Sequence, residues 1–305
     1  MEPAAPPDPD FSPRRSALSR LWPRRWRYRG LIVCVLLLLV SGSATWLERE
    51  RIVGNLIDGY LAENGVTARY EIVAISPTQQ VIADLVVGDP QAPDLTAERV
   101  VVDLGLGLLG PAVERVTVER ARLFGTLRSG QLSFGALDPL VFTASDEPAA
   151  LPRIAVALTD ARARIDSDFG AIGVRLEGAG RLDDGFAGTL AVTAPGIGVE
   201  GGRAERATLF GTLTTAKGAP RLAGPLRLGG LECGGARLAS ADIGSTVTLP
   251  ATLDAARGAF AVSARSLAAN GAEAARVSGT ASAAVSQRGT VVEHDLTLSK
   301  ASLPY

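Results

Sequence analysis

The sequence predicts a mostly β protein: an elongated, curved antiparallel sheet of repeated hairpins, preceded by one membrane-crossing helix and one amphipathic helix. Three observations predict it. Apolar and polar residues alternate in run after run from Val81 onward, punctuated by Gly, Asp and Pro at hairpin distances. A nine-residue segment returns 86 positions later with eight identities. Ahead of both lies a stretch of seventeen uncharged residues, Leu31 to Leu47.

The elements follow in order. Residues 1–13 (MEPAAPPDPDFSP) are Pro-rich and polar, which predicts disorder, and with the basic segment 14–29 they form a cytoplasmic tail. As a helix, Leu31–Leu47 spans about 26 Å at roughly 1.5 Å per residue. Gly30 and the flanking aromatics bring it to a ~30 Å hydrocarbon core, so the membrane helix is assigned to 30–47. Leu31, Leu36, Leu39, Trp46 and Leu47 are its candidate anchor residues. Trp22, Trp26 and Tyr28 on one side and Trp46 on the other suit the two interfaces. Seven arginines precede the run, whereas Glu48, Arg49, Glu50 and Arg51 nearly cancel. The positive-inside rule therefore places the N-terminus in the cytoplasm and the bulk of the chain across the membrane. A cleaved signal peptide leaving at Gly42-Ser43-Ala44, or a twin-arginine signal on Arg14-Arg15, is the competing reading. The late start of the apolar run and its continuation in helical phase favour an uncleaved anchor.

Ile52, Val53, Leu56, Ile57, Tyr60 and Leu61 form one apolar stripe, predicting an amphipathic helix over 48–65 with Gly65 as its stop. The β domain then occupies 66–305. Alternation is plain in Val81–Val87, Val100–Leu104, Leu132–Phe134 and Val174–Glu177. Turns are predicted at Gly88-Asp89-Pro90, Ser129-Gly130, Asp183-Asp184-Gly185, Gly201-Gly202 and Gly229-Gly230. The repeat is Glu119–Leu127 (ERARLFGTL), returning as Glu205–Leu213 (ERATLFGTL). Looser Ala-x-aliphatic units at 121–123, 163–165, 207–209, 236–238 and 275–277 are unevenly spaced, which predicts an elongating array and not a strict solenoid. Gly and Ala rise toward the C-terminus, where the strands become small-faced.

Composition excludes several functions. Net charge is −1; the first 29 residues carry seven Arg against three acids, leaving about −5 for the rest, and no basic patch suits nucleic acid. Cys34 and Cys233 fall on opposite sides of the predicted exit from the membrane, so no disulfide framework is available. His294 is the only histidine and cannot build a multi-His metal site. Gly105–Gly110 matches G-x-G-x-x-G but runs into Pro111 and an extended segment, so no helix N-terminus could receive a pyrophosphate. Asp160, Asp166 and Asp168 lie among arginines and read as solvated strand charge rather than a calcium site. No catalytic constellation emerges, and no enzyme activity, cofactor or metal is expected.

What remains is the apolar face. With charged residues outward, the opposite parity brings in Val100, Val102 and Leu104, then Leu123, Leu127, Leu132 and Phe134. Further along come Ile154, Val156, Ile165, Val174 and Leu176, and then Leu190, Val192, Leu209 and Leu213. These residues either pack a closed core or line an open groove that acyl chains could solvate. At 5% aromatic, the chain is poor in the large rings a sandwich core uses, which favours the groove.

The order of elements, with Ala83–Pro90 (ADLVVGDP) and Pro93–Val100 (PDLTAERV), resembles the start of AsmA-like proteins; Val116–Leu123 and Leu132–Asp138 (LSFGALD) resemble the YdbH-like branch. The resemblance runs from about residue 20 to about residue 230. It implies a single-pass bacterial inner-membrane protein whose periplasmic β-taco groove passes phospholipid toward the outer membrane. A dicarboxylate-transport label also attaches to this branch, though no inward Arg pair supports it. Family members are several-fold longer: some 16–18 strands at ~4.8 Å stack to about 80 Å. The chain is therefore expected to be an N-terminal portion whose last sheet edge meets a periplasmic or outer-membrane β partner. A scaffold that pairs through that edge is the alternative function.

Overall fold

The structure is a computed structural model and describes residues 65–76, 78–107, 110–142, 150–199, 201–286 and 289–302. The expected membrane helix, with its anchor residues, and the expected amphipathic helix up to residue 64 lie outside the described residues. No helix among the described residues is long and apolar enough to cross a membrane.

Fifteen strands form one long curved sheet. They are β1 (Ala68–Ile75), β2 (Gln79–Asp89), β3 (Ala92–Gly107), β4 (Gly110–Glu119), β5 (Arg122–Arg128), β6 (Gln131–Ser133), β7 (Ala155–Ser167) and β8 (Gly170–Arg181). The second half comprises β9 (Ala187–Val199), β10 (Gly202–Ala216), β11 (Ala219–Cys233), β12 (Ala236–Thr248), β13 (Ala255–Ala269), β14 (Ala272–Ser286) and β15 (Gly289–Ser302). From β7 to β15 each strand pairs with the next, antiparallel.

Two-residue turns with positive φ at both positions join several of these hairpins: Ser129-Gly130, Lys217-Gly218, Gly234-Gly235 and Asn270-Gly271. Their handedness matches strand twist. The expected turns at Ser129-Gly130 and Asp183-Asp184-Gly185 fall between strands as predicted, and Gly201 lies between β9 and β10. Gly229-Gly230 does not turn the chain: β11 runs straight through it, and the turn comes at Gly234-Gly235. The G-x-G-x-x-G segment bridges β3 and β4, with Gly107 paired to Gly110.

One connection departs from the meander. β4 and β5 are two halves of one path, broken at Arg120 (φ 51°), and both run parallel to β7. Parallel strands cannot be joined by a tight turn. The chain therefore returns through β6, a 3-10 turn (Gly135–Leu137) and a short helix, α1 (Asp138–Val141). Phe134, Leu137 and Val141 on this crossover are buried with Val87, Val100, Val102, Val116, Val156, Leu182 and Phe186 in a closed core. Two carboxylates hold the plug. Asp94 accepts from the Ala136 N–H at 2.9 Å, and Asp138 accepts from the Phe134 N–H and the Ser133 hydroxyl.

The sheet also creases. Inner positions normally recur every second residue, but along one line across β9–β14 the spacing slips to three. The residue pairs are Ala194/Ile197, Ala204/Ala207, Leu228/Leu231, Leu238/Ala241, Ala264/Leu267 and Ala274/Val277. Every second strand takes a left-handed residue there: Gly196 (φ 80°), Gly230 (57°), Ser266 (54°) and Lys300 (52°). Pairing register is unchanged across the line, so all strands bend together and the sheet folds along it. An earlier line carries Asp84, Arg120 and Asp160 at φ 49–51°. It has the same spacing of three in Ile82/Leu85, Ala97/Val100 and Val118/Ala121. The nine-residue repeat now has a physical meaning: each copy begins on a crease, with Glu-Arg on the fold and Ala-x-Leu-x-Gly-x-Leu running up the inner wall.

Candidate functional site

The inner face of β9–β15 is built row by row from the strand register. One row crosses Val174, Val192, Leu209, Leu226, Ile243 and Val262, each directly opposite the next. A parallel row crosses Gly188, Leu213, Leu222 and Val247. At the crease the walls converge, and small side chains fill the bottom: Ala194, Ala204, Ala241, Ala264 and Ala274 are buried. Above them the aliphatic side chains are only half-buried, because none of the described residues forms a second layer over them. The result is a trough with an alanine floor and aliphatic walls.

Its chemistry is one-sided. Among the described residues, no Asp, Glu, Lys or Arg occupies an inner-face position of β9–β15; the ionisable groups there are His294 and Cys233, both exposed. Ser245, also inward, is buried and donates its hydroxyl to the Gly224 carbonyl at 2.7 Å. Every charged side chain of these strands lies on the outer face. A surface that excludes charge over seven strands and is left uncovered by the described residues is solvated well by hydrocarbon and poorly by water.

The sixteen inward candidates divide by position. Val100, Val102, Phe134 and Val156 are at most 2% exposed, enclosed by protein in the closed core. Leu104, Leu123, Leu132, Ile154, Leu176 and Leu213 pack against that core from its rim. Leu127, Ile165, Val174, Leu190, Val192 and Leu209 are half-buried on the inner face beyond it. The trough extends past all of them onto Leu226, Leu228, Ile243, Phe260, Val262 and Leu267, which sequence reasoning missed. The alternation in Leu226-Arg227-Leu228 was an available signal, but the crease flips parity soon after it, and Ala and Gly dilute the pattern.

The outer face neutralises itself over the first crease. Asp160 pairs with Arg122 (2.7 Å), Arg162 (3.0 Å) and Arg175 (3.5 Å). The Arg122 hydrogen bond, reinforced by Arg162, holds the Asp160 carboxyl below its ordinary value of 3.8. The Ser129 N–H and then Arg128 do the same for Asp168, and Arg181 for Asp183. Asp166 pairs with Arg164. These carboxylates are therefore occupied by arginines. No group of three or more His, Cys, Asp or Glu among the described residues is placed to hold a metal ion.

Set against known proteins, residues 36–305 match the family model described as YdbH-like, intermembrane phospholipid transport protein YdbH. No curated protein matches the chain.

Proposed function

This chain belongs to the YdbH-like family of intermembrane phospholipid transport proteins, and on that premise we propose that it carries phospholipid by holding acyl chains in the trough of β8–β15. The observation that carries the reading is the uncharged, incompletely covered inner face. Acyl chains supply the missing second layer, and head groups stay at the open lip, where water reaches them. The closed core with its plug ends the trough on one side, so lipid lies along β8–β15 and not among Val100, Val102, Phe134 and Val156. Leu31–Leu47 anchors the protein in the bacterial inner membrane with its N-terminus in the cytoplasm. The sheet stands in the periplasm and passes lipid between inner and outer membranes, with no chemical step on the lipid.

Leu226 and Arg227 are adjacent on β11 and face opposite ways, so they make a matched test. A photo-crosslinker is placed at each in the full chain, purified from membranes in mild detergent, and adducts are read by mass spectrometry. Phospholipid adducts at Leu226 and none at Arg227 are expected. Equal labelling at both positions refutes the trough. An empty protein with no adduct at either favours the scaffold alternative, for which β15, exposed from Val291 to Ser302, offers the pairing edge.

A further inference from the structure

The two creases treat their outer cations differently. Arg120 and Arg206 are the same residue in the two copies of the repeat. Arg120 has an acid opposite it, Glu98, and pairs with it. On the next outer row Arg122, Arg162 and Arg175 face one another directly on three strands, with the Asp160 carboxylate among them. The second crease also carries an acid, Glu205 over Gly230, but it lies opposite none of the cations there and pairs with none of them. Arg206 lies between Pro195 and Gly229. Along the same row Arg265 faces Arg276 directly, flanked by Ser240 and Ser299, with Lys300 next along β15. All four cations are exposed, and none makes an ion pair or a side-chain hydrogen bond among the described residues. The left-handed positions that carry Asp84 and Asp160 on the first crease carry Gly230, Ser266 and Lys300 on the second. Like charges directly opposite on paired strands repel, and an anionic partner would relieve that.

We infer that the outer ridge of the second crease, Arg206, Arg265, Arg276 and Lys300, docks onto an anionic phospholipid surface. The ridge stands on the convex side of the fold, with no concave floor to hold a single ion. Arg265 and Arg276 themselves sit in the paired ladder, opposite Ser240 and Ser299. A row of cations on a convex edge fits a broad plane of negative charge. The choice of lipid over an acidic protein rests on the carrier reading above: the same strands hold the trough on their other face, so docking the ridge brings the trough within a sheet's thickness of a bilayer.

The test uses the full chain in nanodiscs of uncharged phosphatidylcholine. Capture is measured with vesicles of phosphatidylcholine alone and with vesicles containing phosphatidylglycerol. The variant carries Arg265→Ser, Arg276→Ser and Lys300→Ser; Arg164→Ser, which removes an acid-paired outer cation, is the control. The arginines of 14–29 are common to all these proteins, and a photo-crosslinker replacing Ser240 reports contact at the ridge itself. Each cation near an anionic surface contributes roughly fivefold, so the triple variant should be captured about 100-fold more weakly. The control should match wild type, and capture should fall with added salt. Undiminished capture of the triple variant overturns the inference, as does wild-type capture by phosphatidylcholine vesicles alone. Tighter binding of polyglutamate than of vesicles of equal charge would assign the ridge to a protein partner instead. Lipid retained in the trough is measured on the same samples: its presence alongside failed docking leaves the carrier reading standing, and its absence from wild type refutes that reading separately.

Discussion

Replacing Leu226 by Glu separates a trough from a closed core by several kcal/mol. Leu226 lies between Leu209 and Ile243 in the wall row and is half-buried. Fully burying a leucine is worth about 1.5–3 kcal/mol, so losing a half-buried one should cost about 1 kcal/mol. The new carboxylate reaches water across the open side, so no unpaired buried charge adds to that cost. A loss of about 1 kcal/mol lowers Tm by roughly 2–4 °C in a domain of this size. The matched substitution Val102→Glu lies at 0% exposure, where an unpaired carboxylate costs several kcal/mol and should leave no folded protein. Both variants are made in the full chain, melted, and assayed for co-purifying phospholipid by mass spectrometry. Leu226→Glu should fold, melt within about 4 °C of wild type, and lose most of its lipid, because a charge on the wall repels acyl chains. If it fails to fold, the wall belongs to a closed core. If it folds and keeps its lipid, the wall does not touch acyl chains. Either result refutes the reasoning.

Three further outcomes are expected. A β-carbon added at Gly224 would lie 2.1 Å from the Phe210 carbonyl oxygen, whereas one at Gly198 would meet nothing within 4 Å. Gly224→Ala should therefore cost about 1–3 kcal/mol of stability, read as a lower denaturation midpoint, and Gly198→Ala should leave the midpoint nearly unchanged. Asp94→Ala removes the acceptor of the Ala136 N–H; it should cost about 1–2 kcal/mol and speed hydrogen exchange of the plug amides at 134–142. Asp160, Asp168 and Asp183 have folded-state values below the ordinary 3.8. Their stabilisation is complete above pH 3.8 and is lost as pH falls through the lower folded values. The urea midpoint should begin to fall below about pH 4 in wild type and fall less in Asp160→Asn, by a small margin because these pairs are exposed.

Much of the β architecture could be read from the chain because its signals are local. Period-two alternation marks Val81–Val87 and Val100–Val102 as strands with a dry side, and Ser129-Gly130 supplies the positive φ of a hairpin turn. The Gly229-Gly230 turn failed for an equally physical reason. Glycine signals a left-handed residue, and a crease in mid-strand needs one as much as a turn does. Only the neighbouring strands, which place Ser266 and Lys300 on the same line, distinguish the two.

By itself the sequence determined that the chain makes strands with one uncharged face and that the family is YdbH-like. Each of these depends on residue type and short-range spacing. The tertiary structure alone decided which part of that face is open. Val102 and Leu226 both carry an inward aliphatic side chain in a polar–apolar pattern. One is sealed because β4 and β5 run parallel to β7 and the return segment must cross the sheet end, carrying Phe134, Leu137 and Val141 over it. The other is open among the described residues because β9–β15 are a plain meander from which no described segment crosses back. Burial is a property of what lies opposite, and no local pattern in the chain encodes that.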